Sequence, residues 1–242
     1  RGHDALTANN TELALSEFRQ SCEINNAKSC FNVAAVIEMQ HPQMTADSDG
    51  IKTVIEFYAK ACLLGFQRAC VTEAQYYRSS DYGALDLAKA EHMLSTACDA
   101  GEISGCEDLA EMHYQGIATS PDINLAATLF KRGCDSGGRA ISCFNYGLMR
   151  EKGQGIRKGR ADAIEYYRLG CRKGSDAACI NLAFDYANRA ERPIAMALFR
   201  KSCDNGVLLA CTNLGEMLRD GDLASQASAA EIFRKACDKG NG

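Results

Sequence analysis

The sequence predicts an all-α fold, an α/α solenoid of stacked helical hairpins, and three observations carry that prediction. The first is a beat in the cysteines. Twelve of the thirteen fall in pairs with seven or eight residues between them: Cys22 and Cys30, Cys62 and Cys70, Cys98 and Cys106, Cys134 and Cys143, Cys171 and Cys179, Cys203 and Cys211, with Cys237 left over. The first member of each pair recurs after 40, 36, 36, 37, 32 and 34 residues, which marks a structural repeat rather than one metal or catalytic centre. The second observation is apolar residues at three- and four-residue steps on both sides of every pair, the stripe of an amphipathic helix. The third is a run of small or turn-forming residues inside the pairs, as in CDAGEISGC and CRKGSDAAC, where the chain reverses after a helix C-terminus.

Taken in order, the hairpins are expected at roughly 11–40, 51–80, 86–116, 122–153, 160–189 and 192–221, with a truncated seventh at 225–242, all in a single array over 1–242. Each first helix ends on its cysteine: ALSEFRQSC, VIEFYAKAC, AEHMLSTAC, AATLFKRGC, AIEYYRLGC, AMALFRKSC and AEIFRKAC. Tyr58, Phe130, Tyr167, Phe199 and Phe233 recur near those ends and read as packing residues. Each second helix begins near the second cysteine and carries a small residue four positions on, at Ala34, Ala74, Ala110, Gly147, Ala183 and Gly215, which lets two helices approach closely. No hairpin can bury its apolar stripe alone, so the hairpins must stack.

Composition narrows the function classes. Charged residues are 24% of the chain, with a net charge of −4 and a pI near 5.6, so there is no basic footprint for nucleic acid. No stretch approaches the roughly 18 apolar residues of a spanning helix, so no membrane span is expected. Six matched cysteine pairs make sense as disulfides in an oxidising space, and a disulfide across so short a loop stabilises by about 2–3 kcal/mol on the chain-entropy model. The competing reading is zinc held by two neighbouring pairs, although the spacing is longer than that of common structural zinc sites. A periplasmic or secreted protein is expected. The chain opens at Arg1 with no basic, apolar leader, so either a leader was removed or the sequence starts inside a longer protein.

The pattern of aromatic, Lys or Arg, small residue, Cys, seven residues, Cys, x, x, Leu, Ala or Gly, x, x, Tyr is clearest in YYRLGCRKGSDAACINLAFDY. It resembles the Sel-like repeat (SLR) family over essentially the whole chain, and with a cysteine pair in every repeat it looks most like the disulfide-rich branch, the Helicobacter cysteine-rich proteins. The resemblance implies a fold similar to tetratricopeptide arrays and a role as an adaptor for protein partners. It also implies a less expected alternative, the weak penicillin-binding or β-lactam-hydrolysing activity described for some cysteine-rich members. Departures from the pattern fall in the loops between hairpins: EKGQGIRKG keeps the Gly-x-Gly, YQGIATSPD weakens it, ANRAERP lacks it, and HPQMTADSDG is an insertion carrying Pro42. Cys237 has no mate, either because the chain stops in mid-repeat or because its thiol is free for an intermolecular bridge.

No catalytic residue is expected. Neither Ser-x-x-Lys nor Gly-x-Ser-x-Gly occurs, no Cys-x-x-Cys occurs, and His3, His41, His92 and His113 share no ligand spacing, so no metal or other cofactor is expected. His113 stands where the repeat usually has tyrosine and reads as a packed imidazole. The candidate partner-binding set is a polar column two residues after each second cysteine: Asn32, Thr72, Asp108, Asn145, Asn181 and Asn213. Asparagine offers a donor and an acceptor, so a ladder of them can pair with the backbone amides of an extended peptide, and in a tetratricopeptide-like array this helix would line the concave face. The alternative is that these residues cap or solvate a helix start. Four positions further on, Val36, Tyr76, Met112, Met149, Asp185 and Met217 read as core more than as an adaptable surface. A protein or peptide partner is therefore expected, with a secreted effector or toxin, met by an inhibitor or immunity protein, as a specific form.

Overall fold

The computed structural model describes Gly2 and residues 10–41, 49–79, 85–219 and 222–240, with side chains through Arg234. Thirteen α-helices and no strand occur among them. They pair in chain order: α1 (Thr11–Glu23) with α2 (Ala27–Gln40), α3 (Asp49–Leu63) with α4 (Gln67–Arg78), and α5 (Leu87–Asp99) with α6 (Ile103–Gln115). Then come α7 (Ile123–Asp135) and α8 (Ala140–Lys152), α9 (Arg160–Arg172) and α10 (Asp176–Asn188), and α11 (Arg192–Asp204) and α12 (Leu208–Arg219), followed by α13 (Leu223–Gly240). Six disulfides join the expected pairs across the hairpin turns, with Cα–Cα distances of 4.5–4.7 Å. Each sulfur thus bonds its own mate, and the zinc reading is set aside. Cys237 and most of the HPQMTADSDG insertion lie outside the described side chains.

The turn has a repeated backbone cause. Three residues after the first cysteine of every hairpin the chain is left-handed: Asn25 at φ 64°, then Gly65, Gly101, Gly137, Gly174 and Gly206 at 86–99°. That conformation ends the first helix, because the next amide reaches back to a carbonyl of the last turn, as in Phe66 N–H to Ala61 O at 3.0 Å and Ser175 N–H to Gly170 O at 2.9 Å. Glycine adopts it without a Cβ penalty, and asparagine is among the few side chains that tolerate it. The second helix is then capped locally, by the Asn26 side chain accepting from Ser29 N–H at 3.0 Å and by Ser175 from Ala178 N–H at 3.2 Å.

Helices pack in two compact units, residues 1–129 and 130–242, whose boundary falls inside α7. In the first, α1 to α6 pack in succession, and the second helices α4 and α6 also touch. Its core holds Phe18, Cys22, Val33, Ile37, Val54 and Tyr58, with Phe31 edge-on to Phe66 at 5.1 Å. In the second unit α8 to α13 pack in succession and α8 touches α10. Tyr167, Leu182, Phe199 and Leu214 lie at its centre.

The small residue of each second helix has a specific use here. A Cβ on Gly147 would stand 2.8 Å from the Tyr167 ring, and one on Gly215 would stand 2.5 Å from Phe233. In both hairpins the missing side chain is the seat for the aromatic of the next first helix. The column at Val36, Tyr76, Met112, Met149 and Asp185 is buried, and Met217 is half-buried, as expected for core.

Candidate functional site

The polar column lies well inside the second helices rather than at their starts, since the caps of α2 and α10 are Asn26 and Ser175. Its members share a register but not an environment. Thr72 Oγ1 donates to Arg68 O at 3.1 Å and Asn213 Nδ2 to Leu209 O at 2.7 Å, so both spend a donor on their own helix. Asp108 is buried and accepts from Gln75 Nε2 at 2.9 Å, tying α6 to α4. Asn32, Asn145 and Asn181 are half-buried.

Around Asn181 the second unit forms a pocket of about 180 Å³. Asn181, Phe184, Asp185 and Asn188 of α10 line one side of it, with Glu151, Arg160, Ile164 and Tyr167 lining the rest. Arg160 bridges two carboxylates, 3.0 Å from Asp185 Oδ1 and 3.7 Å from Glu151 Oε1. The second Asp185 oxygen is 2.9 Å from Arg189 Nε, but that N–H does not point at it, so the contact is an ion pair without a hydrogen bond. The Tyr167 hydroxyl donates to Glu151 Oε2 at 2.8 Å. Burial first, and then that carboxylate, push the Tyr167 phenol well above its ordinary range, while a hydrogen bond with Asn181 opposes them. The arrangement pairs fixed opposite charges with carboxamides and a half-exposed phenyl, which suits holding a polar chain. Of the expected column, the pocket includes Asn181 and not Asn145. A depression of about 350 Å³ in the first unit includes Asn32, beside Asn26 and Lys28.

The pairing of tyrosine and glutamate between successive hairpins was not anticipated. Glu38 accepts from the hydroxyls of Tyr58, at 2.5 Å, and Tyr76. Glu151 does the same for Tyr167. Both glutamates lie eight residues after a second cysteine, and both tyrosines four before the next first cysteine. Where the first-helix position is Leu94, Phe199 or Phe233, the preceding partner position holds Arg78, Ala187 or Arg219, so the acid appears only with the hydroxyl. A buried phenol needs an acceptor, and a buried phenyl does not.

His113 behaves as a packed imidazole: it is buried, its Nδ1 accepts from Asp122 N–H at 3.1 Å, and its Nε2 is 3.8 Å from Glu91. It thereby ties down the loop into α7. Arg150, at the same register, donates to Arg157 O at 2.7 Å and pairs with Asp162, which holds the EKGQGIRKG loop against the helix. His41 ends α2, His92 lies exposed on α5, and His3 is outside the described residues.

The family model described as Sel1 repeat matches residues 103–138, 140–175, 177–207 and 208–241. Two curated relatives are cytochrome c oxidase assembly factor 7 of Xenopus tropicalis, 30% identical over 82 residues and 34% of this chain, and factor 7A of Xenopus laevis, 29% over 128 residues and 50%. The matches span 34% and 54% of those relatives, about half their length or less. Among solved structures, a Sel1 repeat protein from Oxalobacter formigenes superposes with a TM-score of 0.82, covering 98% of both chains at 19% identity. A protective antigen of uropathogenic Escherichia coli with an SLR fold also gives 0.82, over 94% of this chain and 49% of that one at 21% identity. An immunity protein from Pseudomonas aeruginosa gives 0.51, over 88% and 82% at 18% identity. At these identities the structural likeness establishes the fold.

Proposed function

Because the chain belongs to the Sel1 repeat family, we propose that it is a non-catalytic scaffold holding a protein or peptide on the exposed face of its second helices. The observation that carries the proposal is the pocket beside Asn181. There two carboxamides, Asn181 and Asn188, stand seven residues apart on α10 over the apolar Ile164 and Phe184. Carboxamides two turns apart suit the amide groups of an extended chain, and the phenyl supplies apolar contact area. Six disulfides favour an oxidising compartment, the periplasm or the exterior, where such bonds persist. The specific form we favour is an inhibitor or immunity protein whose partner is a secreted effector. An immunity protein from Pseudomonas aeruginosa shares this fold, and a stapled backbone lowers the ordering cost of binding.

The test is partner capture from the exported fraction with the oxidised chain, run beside Asn181→Ala/Asn188→Ala and Asn145→Ala variants shown by melting to be folded. A protein retained by wild type and by Asn145→Ala, but lost by the double variant, is the expected result. Equal retention on all three baits overturns the pocket as the recognition surface.

A further inference from the structure

The net charge of −4 conceals a division. The first unit, residues 1–129, carries 18 Asp and Glu against 8 Lys and Arg, a formal charge of −10. The second unit, 130–242, carries 13 against 19, a formal charge of +6. Glu73, Glu107 and Asp108 of the first unit and Asp185 of the second are buried, and the other described acids of the first unit are exposed or half-buried. In the first unit Glu12, Glu23, Glu56 and Asp99 are exposed and make no ion pair among the described residues. Glu12 and Glu23 lie on one face of α1, bordering an open depression of about 490 Å³ that is also lined by Leu15, Ser16, Gln20 and one cation, Arg19. In the second unit Lys152, Arg157 and Lys158 crowd one exposed loop that Arg150 anchors, and Arg172 and Arg200 add exposed cations, again without an ion pair among the described residues. Like charges gathered on one unit repel one another, and an oppositely charged surface docked on them relieves that repulsion and steers its own approach.

We propose that the occupant of these surfaces is a second copy of this chain, with the anionic first unit of one molecule docked on the cationic second unit of another. A single chain supplies both complementary surfaces, so a second copy accounts for both excesses at once, whereas a foreign basic or acidic partner accounts for one. The contact is heterologous: each copy retains one unused pole, and addition continues until the protein is depleted or the ends meet. Long-range attraction between exposed charges is screened, so the assembly belongs to low ionic strength. This inference is independent of the pocket beside Asn181, and the two stand or fall separately.

Sedimentation velocity on the full, oxidised chain tests it, with the sample alkylated under native conditions so that no intermolecular disulfide contributes. At about 20 mM salt, where charges act over roughly 20 Å, the mass should rise with concentration beyond one chain, and at about 500 mM it should fall to one chain. Two variants locate the poles: Glu12→Gln/Glu23→Gln/Glu56→Gln/Asp99→Asn in the first unit and Lys152→Gln/Arg157→Gln/Lys158→Gln/Arg200→Gln in the second. All eight side chains are exposed, so both variants should melt like wild type. Each alone should stay one chain at low salt, and an equimolar mixture should form two-chain complexes and nothing longer, because one productive junction remains. A single-chain mass for wild type at low salt overturns the proposal. So does association that persists at high salt, or either variant assembling as wild type does.

Discussion

Replacing Glu38 with alanine removes the shared acceptor of two buried phenols. Tyr58 is 1% exposed and Tyr76 6%, and both hydroxyls donate to the Glu38 carboxylate, which joins α2 to α3 and α4. A buried hydroxyl left without an acceptor costs about 1–3 kcal/mol, so two give about 2–6 kcal/mol, less whatever water recovers. In a Tyr58→Phe/Tyr76→Phe background no hydroxyl remains to be orphaned, and Glu38→Ala should then cost under about 1 kcal/mol. The assay is hydrogen exchange of the oxidised chain, reading protection over residues 27–78, with urea unfolding alongside. Local readout matters because repeat arrays open in pieces and a single global transition is not assured. A cost for Glu38→Ala that is the same in both backgrounds refutes the reasoning, since the carboxylate would then be acting through something other than the two hydroxyls.

Three further outcomes follow from the same geometry. Cys171→Ala/Cys179→Ala opens one hairpin staple and should destabilise its surroundings by about 2–3 kcal/mol, seen as faster exchange across α9 and α10 while the other hairpins hold. Gly147→Ala drives a methyl to 2.8 Å from the Tyr167 ring and 3.2 Å from Ala163 O, and overpacking of this kind should cost about 1–3 kcal/mol in urea unfolding. Burial holds the Tyr58 and Tyr167 phenols protonated above the ordinary value near 10, reinforced by the hydrogen bonds to Glu38 and Glu151. Their folded values are raised, so their contribution is complete below about pH 10 and is lost as pH climbs above it, where the unfolded phenols ionise and the native ones do not. Wild type should therefore lose stability above pH 10 more steeply than Tyr58→Phe/Tyr167→Phe in rapid alkaline melts, and parallel slopes would contradict the assignment.

Much of this architecture can be read from residue spacing alone, because one physical device repeats. The cysteine beat locates the turns, and the first and fifth helix pairs span Thr11–Gln40 and Arg160–Asn188. What spacing cannot give is the neighbour. The polar column is one register in the sequence, yet Asp108 is buried against Gln75, Asn213 bonds its own helix, and Asn181 borders a pocket, because each meets a different side chain across the stack. The tyrosine–glutamate pairs were legible in principle. Glu38 with Tyr58 and Glu151 with Tyr167 stand at matched registers, but the signal appears only when neighbouring repeats are compared rather than aligned one upon another. The charge division was hidden for a similar reason, since a total of −4 averages two units of opposite sign.

Hydrogen exchange of the oxidised chain with and without its captured partner bears most directly on the scaffold reading. New protection should concentrate on α10 and on the pocket-lining residues of α8 and α9, with the exposed outer side of the first helices unchanged. A footprint confined to the hairpin turns or to the first helices, with α10 exchanging as in the free protein, would contradict recognition through the second-helix face.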